Sequence, residues 1–198
     1  MSVVVSADEI KKELAGYSPD KSEEFHHESA QKADKQFDKA LKDVVYKEVV
    51  LLNGGTASGK TEFLSTQLES KNYLILDATL SSEKGADIKL RKIVKAKKKP
   101  IVFSVIPDDL KRAFIAFLNR DRKFSDTHFY KTHSGSRKTL LWIAENCPEV
   151  EVNVVESSYD RNQNLQFKRI EFSSRKNMID FLQSIQRTED EILKEVQL

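Results

Sequence analysis

Leu52-Asn53-Gly54-Gly55-Thr56-Ala57-Ser58-Gly59-Lys60-Thr61 decides how the rest of this 198-residue chain is read. A glycine, four residues, then glycine, lysine and serine or threonine is the pattern of a phosphate-binding loop. Glycines reach backbone angles that side chains forbid, so amide hydrogens from Gly54, Gly55, Thr56, Ala57, Ser58 and Gly59 can turn inward around phosphate oxygens. Lys60 brings a point charge to the β- and γ-phosphates, and the Thr61 hydroxyl is suited to ligate magnesium. The helix that follows offers its positive end to the same anion. The implied ligands are ATP or GTP with Mg2+.

The flanks supply the context such a loop requires. From Lys47 to Asn53 runs a continuous apolar stretch, as in a parallel strand buried on both faces. After it, Thr61–Leu68 reads as a helix, Tyr73–Leu76 as a strand, Ile88–Ala96 as a helix and Ile101–Ile106 as a strand. Leu110–Leu118 reads as a helix, Lys123–Arg137 as a polar irregular segment, and Thr139–Glu145 as a helix. Val150–Val155 and Phe167–Phe172 read as strands, and Met178–Ile185 as a closing helix. This alternation predicts an α/β fold, a P-loop NTPase-type three-layer sandwich with a mostly parallel sheet and ligands at the carboxyl ends of its strands. Ahead of it, Ser6 before Asp8 and Glu9 marks a short helix ending at Gly16, and Phe25 to Val44 carries helical periodicity. The expected organisation is an N-terminal helical extension over 1–46, a P-loop domain over 47–186, and a charged helix end or tail over 187–198.

Bulk properties narrow the class. Lys and Arg number 33 against 31 Asp and Glu, a net charge of +2 that does not suit a protein coating nucleic acid. Cys147 stands alone, the four histidines form no zinc-ligand pattern, and no basic, apolar leader opens the chain. No apolar run approaches the roughly 20 residues of a membrane span. The expectation is a cytoplasmic protein with no membrane partner.

Several other residues carry candidate chemistry. Asp77 ends the strand Tyr73-Leu74-Ile75-Leu76-Asp77 on the same sheet edge as the loop, where it could take an acceptor proton or support magnesium. Thr79 shares that location and suits either substrate contact or a helix cap. Arg112, Arg120 and Arg122 lie on or just after the helix beyond Pro107, and planar guanidinium groups suit the charge that develops on a transferring phosphoryl group. Phe124 to Arg137, with His128, His133 and Arg137, has the composition of a substrate-gripping lid and equally of an ordinary polar loop. The Lys95–Lys99 tract reads as a solvated helix end.

The loop, Leu74-Ile75-Leu76-Asp77-Ala78-Thr79, and Val105-Ile106-Pro107 with its arginine-bearing helix together resemble the zeta toxin family of P-loop kinases, and more distantly the chloramphenicol phosphotransferases. The resemblance spans roughly Val49 to Glu156. It implies transfer of phosphate from ATP or GTP to a hydroxyl of a small molecule such as a nucleotide sugar, with Lys60, Asp77, Arg120 and Arg122 catalytic and an antitoxin protein as partner. One departure stands out. The family places a catalytic-base aspartate on a strand between the loop helix and the acidic-small-Thr strand, and only Glu62 to Lys71 is available here. Either Asp77 is the base or the acid comes from elsewhere, with Asp87, Asp108 and the helix of His26 and Glu28 as candidates. Two other readings accompany the kinase: a nucleotide-dependent regulatory switch without transfer, and a polynucleotide end kinase.

Overall fold

Residues 1–197 are described by a computed structural model, whose framework is one six-stranded sheet. In chain order the strands are β1 (Val3–Ser6), β2 (Glu48–Asn53), β3 (Leu74–Asp77), β4 (Lys99–Pro107), β5 (Glu151–Tyr159) and β6 (Leu165–Ile170). Across the sheet they lie in the order β1-β3-β2-β4-β5-β6. All neighbours are parallel except β5 and β6, which form an antiparallel hairpin. That hairpin turns at Asp160, whose carboxylate accepts from the amides of Asn162 and Asn164 at 2.8 and 2.9 Å. The helices are α1 (Ala7–Lys12), α2 (His26–Ala40), α3 (Lys60–Phe63), α4 (Glu83–Lys95), α5 (Leu110–Leu118), α6 (Asp126–Asn146), α7 (Arg175–Ser184) and α8 (Glu189–Gln197). A π-helical turn over Leu64–Leu68 continues α3.

The central strand β2 is apolar from Val49 to Leu52 because both of its faces are covered there. Val49 and Leu51 join Phe37 of α2, Leu90 of α4, Ile143 of α6 and Leu182 of α7 in one core, while Val50 and Leu52 meet Phe63, Leu64 and Leu68 on the opposite face. The result is the three-layer α/β sandwich of P-loop type expected from the alternation. Each buried side chain of this size stabilises by about 1.5–3 kcal/mol, and a one-residue slip would exchange the two sets between layers, so the register is tightly specified. Among the described residues no helix is long and apolar enough to cross a membrane.

Three features differ from the sequence reading. The N-terminal segment is not purely helical: Val3–Ser6 forms the edge strand β1, pairing Val3 with Leu74 and Ser6 with Asp77 before α1 begins. Lys123–Arg137 is not an irregular lid, because α6 begins at Asp126 and runs unbroken for 21 residues. Phe129, Thr132, His133, Ser136 and Arg137 are all buried by it. Lastly, α8 is a separate helix whose Ile192 and Val196 pack with Phe117 and Phe129; Leu198 lies outside the described residues.

Candidate active site

A crevice opens where neighbouring connections leave a parallel sheet in opposite directions, and β2, flanked by β3 on one side and β4 on the other, stands at such a point. The loop 54–59 leaves β2 there. Gly54 adopts φ 139°, and a Cβ on it would fall 2.4 Å from the Val105 carbonyl oxygen. Gly59 turns the chain into α3 at φ 87°. Ala57 is also left-handed, at φ 61°, an unusual conformation for a residue with a side chain.

Buried polar groups brace this loop from outside. Ser104 Oγ donates to Asn53 Oδ1 at 2.7 Å, and Asn53 Nδ2 donates to the Ser136 carbonyl at 3.2 Å. Ser157 Oγ donates to the Ser58 carbonyl at 2.8 Å. The Thr56 amide donates to Thr132 Oγ1 at 3.1 Å, and His133 Nε2 meets the Thr56 carbonyl at 2.8 Å. Since a carbonyl only accepts, His133 carries its proton on Nε2, leaving Nδ1 to accept from Arg137 Nη1 at 3.2 Å. Burial, reinforced by the Arg137 charge, keeps this imidazole neutral, far below the usual histidine range.

The same network determines which amides face a ligand. Those of Gly54, Thr56 and Ser58 are already bonded within the protein. The amides of Lys60 and Thr61, in the first turn of α3, have no intrahelical acceptor, which leaves them, like those of Gly55, Ala57 and Gly59, available to an anion. Lys60 Nζ bridges the Gly54 and Gly55 carbonyls at 2.9 Å each. Burial lowers its pKa to about 8, with Asp77 opposing the shift.

Beside the loop lies a cleft of about 270 Å³. Of the residues singled out from sequence, Thr56, Ala57, Ser58, Lys60, Thr61, Asp77, Thr79, Arg120, Arg122 and His128 line it. Gly54, Gly55, Gly59, Asp87 and Asp108 do not, and neither do Arg112, His133 and Arg137. Arg112 sits over the Tyr159 ring at 5.5 Å, and the other two are buried behind the loop as its support instead of in a lid.

The sequence reading missed Asp8, together with Lys11, which fixes it. Asp8 follows β1 and enters the cleft wall; its carboxylate pairs with Arg122 and with Lys11 at 3.3 Å. Lys11 is fully buried and lies 4.8 Å from the Phe124 ring centroid, in a cation–π contact. Phe124 stacks on His128 at 4.3 Å, and His26 of α2 meets both edge-on. The signal was present. Val3-Val4-Val5-Ser6-Ala7-Asp8 repeats the plan of Leu74-Ile75-Leu76-Asp77, an apolar run leading to an acid.

The two cleft carboxylates sit in opposite electrostatic settings. Burial raises the Asp77 pKa, only partly countered by Lys60 and by the Ser6 hydroxyl, which donates at 3.3 Å. Burial also acts to raise Asp8, but Arg122 and Lys11 outweigh it and hold that carboxyl below its ordinary value.

A magnesium ion fits this donor set. Mg2+ keeps several waters and takes one or two protein oxygens plus substrate phosphates, so it needs no protein cage. Among the described residues there is no cluster of three or more His, Cys, Asp or Glu side chains built to hold a metal. Thr61 and Asp77, both on the cleft wall, provide the sparse oxygen set that Mg2+ uses.

No family model and no curated protein sequence matches the chain. Solved structures do. A chain of the native AvrRxo1-ORF1:-ORF2 complex superposes with a TM-score of 0.52 at 10% identity, covering 77% of this chain and 70% of that one. A crystal of AvrRxo1-ORF1:AvrRxo1-ORF2 with sulphate ions aligns at a TM-score of 0.48 and 8% identity, over 85% and 86% of the two chains. The first likeness is one of fold, and it agrees with an α/β sandwich of P-loop type.

Proposed function

We propose that the protein is a P-loop phosphotransferase that moves the γ-phosphoryl group of ATP or GTP to a hydroxyl of a small molecule, in the manner of the zeta toxin kinases it resembles. One observation carries this reading: Lys60 with Thr61, Asp77, and Arg120 come from three separate stretches of chain and line a single cleft beside the phosphate loop. A loop serving only structure has no need of them.

In this reading the amides of Lys60 and Thr61 hold the donor phosphates, and Lys60 leaves the loop carbonyls to pair with them. Thr61 and Asp77 would hold magnesium, which supplies charge neutralisation and alignment of the phosphates. Arg120, whose pKa is lowered by burial and by nearby Arg122, remains protonated and faces the charge that develops on the transferring group. A cleft carboxylate receives the acceptor proton. A nucleotide sugar as acceptor, and an antitoxin as protein partner, follow from the zeta toxin resemblance; the fold relative crystallised as a complex of two ORF products supports looking for such a partner.

The test is radiolabel transfer from γ-labelled ATP and GTP, with magnesium, to a panel of nucleotide sugars, nucleosides and aminoglycoside-like alcohols. Labelled product from wild type and none from Lys60→Ala is the expected result. Nucleotide binding with no transfer to any acceptor would mark the chain as a nucleotide-dependent switch instead.

A further inference from the structure

Two carboxylates share the cleft, and the sheet order separates their tasks. β3 lies directly beside β2, so Asp77 at its end neighbours the phosphate loop and feels Lys60 strongly. β1 lies one strand further out, about 4.8 Å by ordinary strand spacing. Its Ser6 is level with Asp77, and Asp8 follows two residues later, past the sheet edge. Asp8 thus lines the outer part of the same cleft, and its charge acts on Lys60 less than that of Asp77 does.

We infer that Asp8 is the residue that binds the acceptor hydroxyl and takes its proton, leaving Asp77 to the metal, and that Arg122 and Lys11 position the Asp8 carboxylate. This rests on the phosphotransferase reading. The acid that the chain has no room for between α3 and β3 is delivered instead by an N-terminal strand on the other side of β3. Several observations agree. The Asp8 side chain is 41% exposed, reachable by a substrate, yet it is fixed by two cations from different parts of the chain. Lys11 is wholly buried, an expensive location for an ammonium group unless it serves a partner. Among the described residues its hydrogen-bond partner is Asp8.

The step balances as follows. The acceptor oxygen bonds to the γ-phosphorus as the bond from that phosphorus to the β–γ bridging oxygen breaks, and the electron pair leaves with the nucleoside diphosphate. The hydroxyl proton passes to an Asp8 carboxylate oxygen and then to solvent. Phosphoryl transfer proceeds through a loose transition state, so alignment of the hydroxyl matters more than high basicity, and a cation-paired carboxylate is suited to it.

The experiment compares wild type with Asp8→Asn, Asp8→Glu and Asp77→Asn in the full chain. It measures the affinity of a fluorescent ATP analogue with and without magnesium, and total label transferred from γ-labelled ATP to water and to pooled nucleosides, nucleotide sugars and aminoglycoside alcohols. Asp8→Asn should retain magnesium-dependent nucleotide affinity within about threefold and lose about 100-fold or more of transfer, the lower end of a general base's contribution. Asp8→Glu should recover part of it, and Asp77→Asn should lose the magnesium dependence of binding. A smaller loss in Asp8→Asn, or loss of magnesium dependence in that variant, overturns the assignment. Wild type that binds nucleotide but transfers nothing sinks the phosphotransferase reading itself, and Asp8's role with it.

Discussion

His133 supports the phosphate loop from behind through a hydrogen bond, its Nε2 donating to the Thr56 carbonyl at 2.8 Å with the ring wholly buried against Phe129. Removing the ring leaves a cavity beneath the loop, an unpaired Thr56 carbonyl, and Arg137 without its Nδ1 partner. His133→Ala should destabilise the fold by about 3 kcal/mol. Urea denaturation measures this, and calorimetry with magnesium ATP should show weaker binding as well.

Gly55 is small for the reciprocal reason. Its conformation is not left-handed, but a Cβ there would fall 2.3 Å from the His133 ring. Gly55→Ala should therefore reduce ATP affinity more than tenfold by pushing the loop off α6. Combining it with His133→Ala should restore part of the loss, because the second change vacates the clashing space. Additive losses in that double-mutant cycle would show that the two residues do not interact.

His128 makes stability depend on pH. Burial, aided by the charges of His26 and Lys11 and opposed by Glu23 and Asp8, lowers its pKa from 6.5 to about 4. Between those values the unfolded chain binds more protons than the folded one, so the contribution is complete above about pH 6.5 and declines as pH falls toward 4. His26 is shifted in the same direction. The urea midpoint of wild type should drop between pH 7 and pH 5, and His128→Gln should reduce that drop. An unchanged slope would contradict it.

The C-terminal helix contributes to the support of the site. Ile192 is fully buried among Phe117, Phe129 and Leu110. Ile192→Ala should lose about 2–5 kcal/mol, read as a shift in thermal or urea midpoint; a frayed tail would show none.

The loop and the strands around it were legible because their chemistry is local. A glycine pattern needs only its neighbours, and Val49 to Leu52 announce double-sided burial by lacking polar residues. α6 was not legible over 123–137 because its polar residues face the loop from inside the protein, so it lacks the alternation of a surface helix. Gly135 within it is small to allow close approach: a Cβ there would meet the Ser81 carbonyl oxygen at 2.4 Å. β1 escaped for a different reason. Four residues ahead of a good helix start give little periodicity, and the significance of Asp8 depends on Arg122, 114 positions away in sequence and bonded to it only in the folded chain.

The pairing of Val3 with Leu74 has a consequence for synthesis. Once made, Val3 must wait for more than seventy further residues before its neighbour in the sheet exists, and Asp8 waits longer still for Arg122. Local helices can form meanwhile, but a long-range parallel pairing is slow to close. A partly made chain can thus carry the complete glycine-rich loop while the Asp8–Arg122 wall of the cleft is still unassembled, so the cleft is completed late in translation.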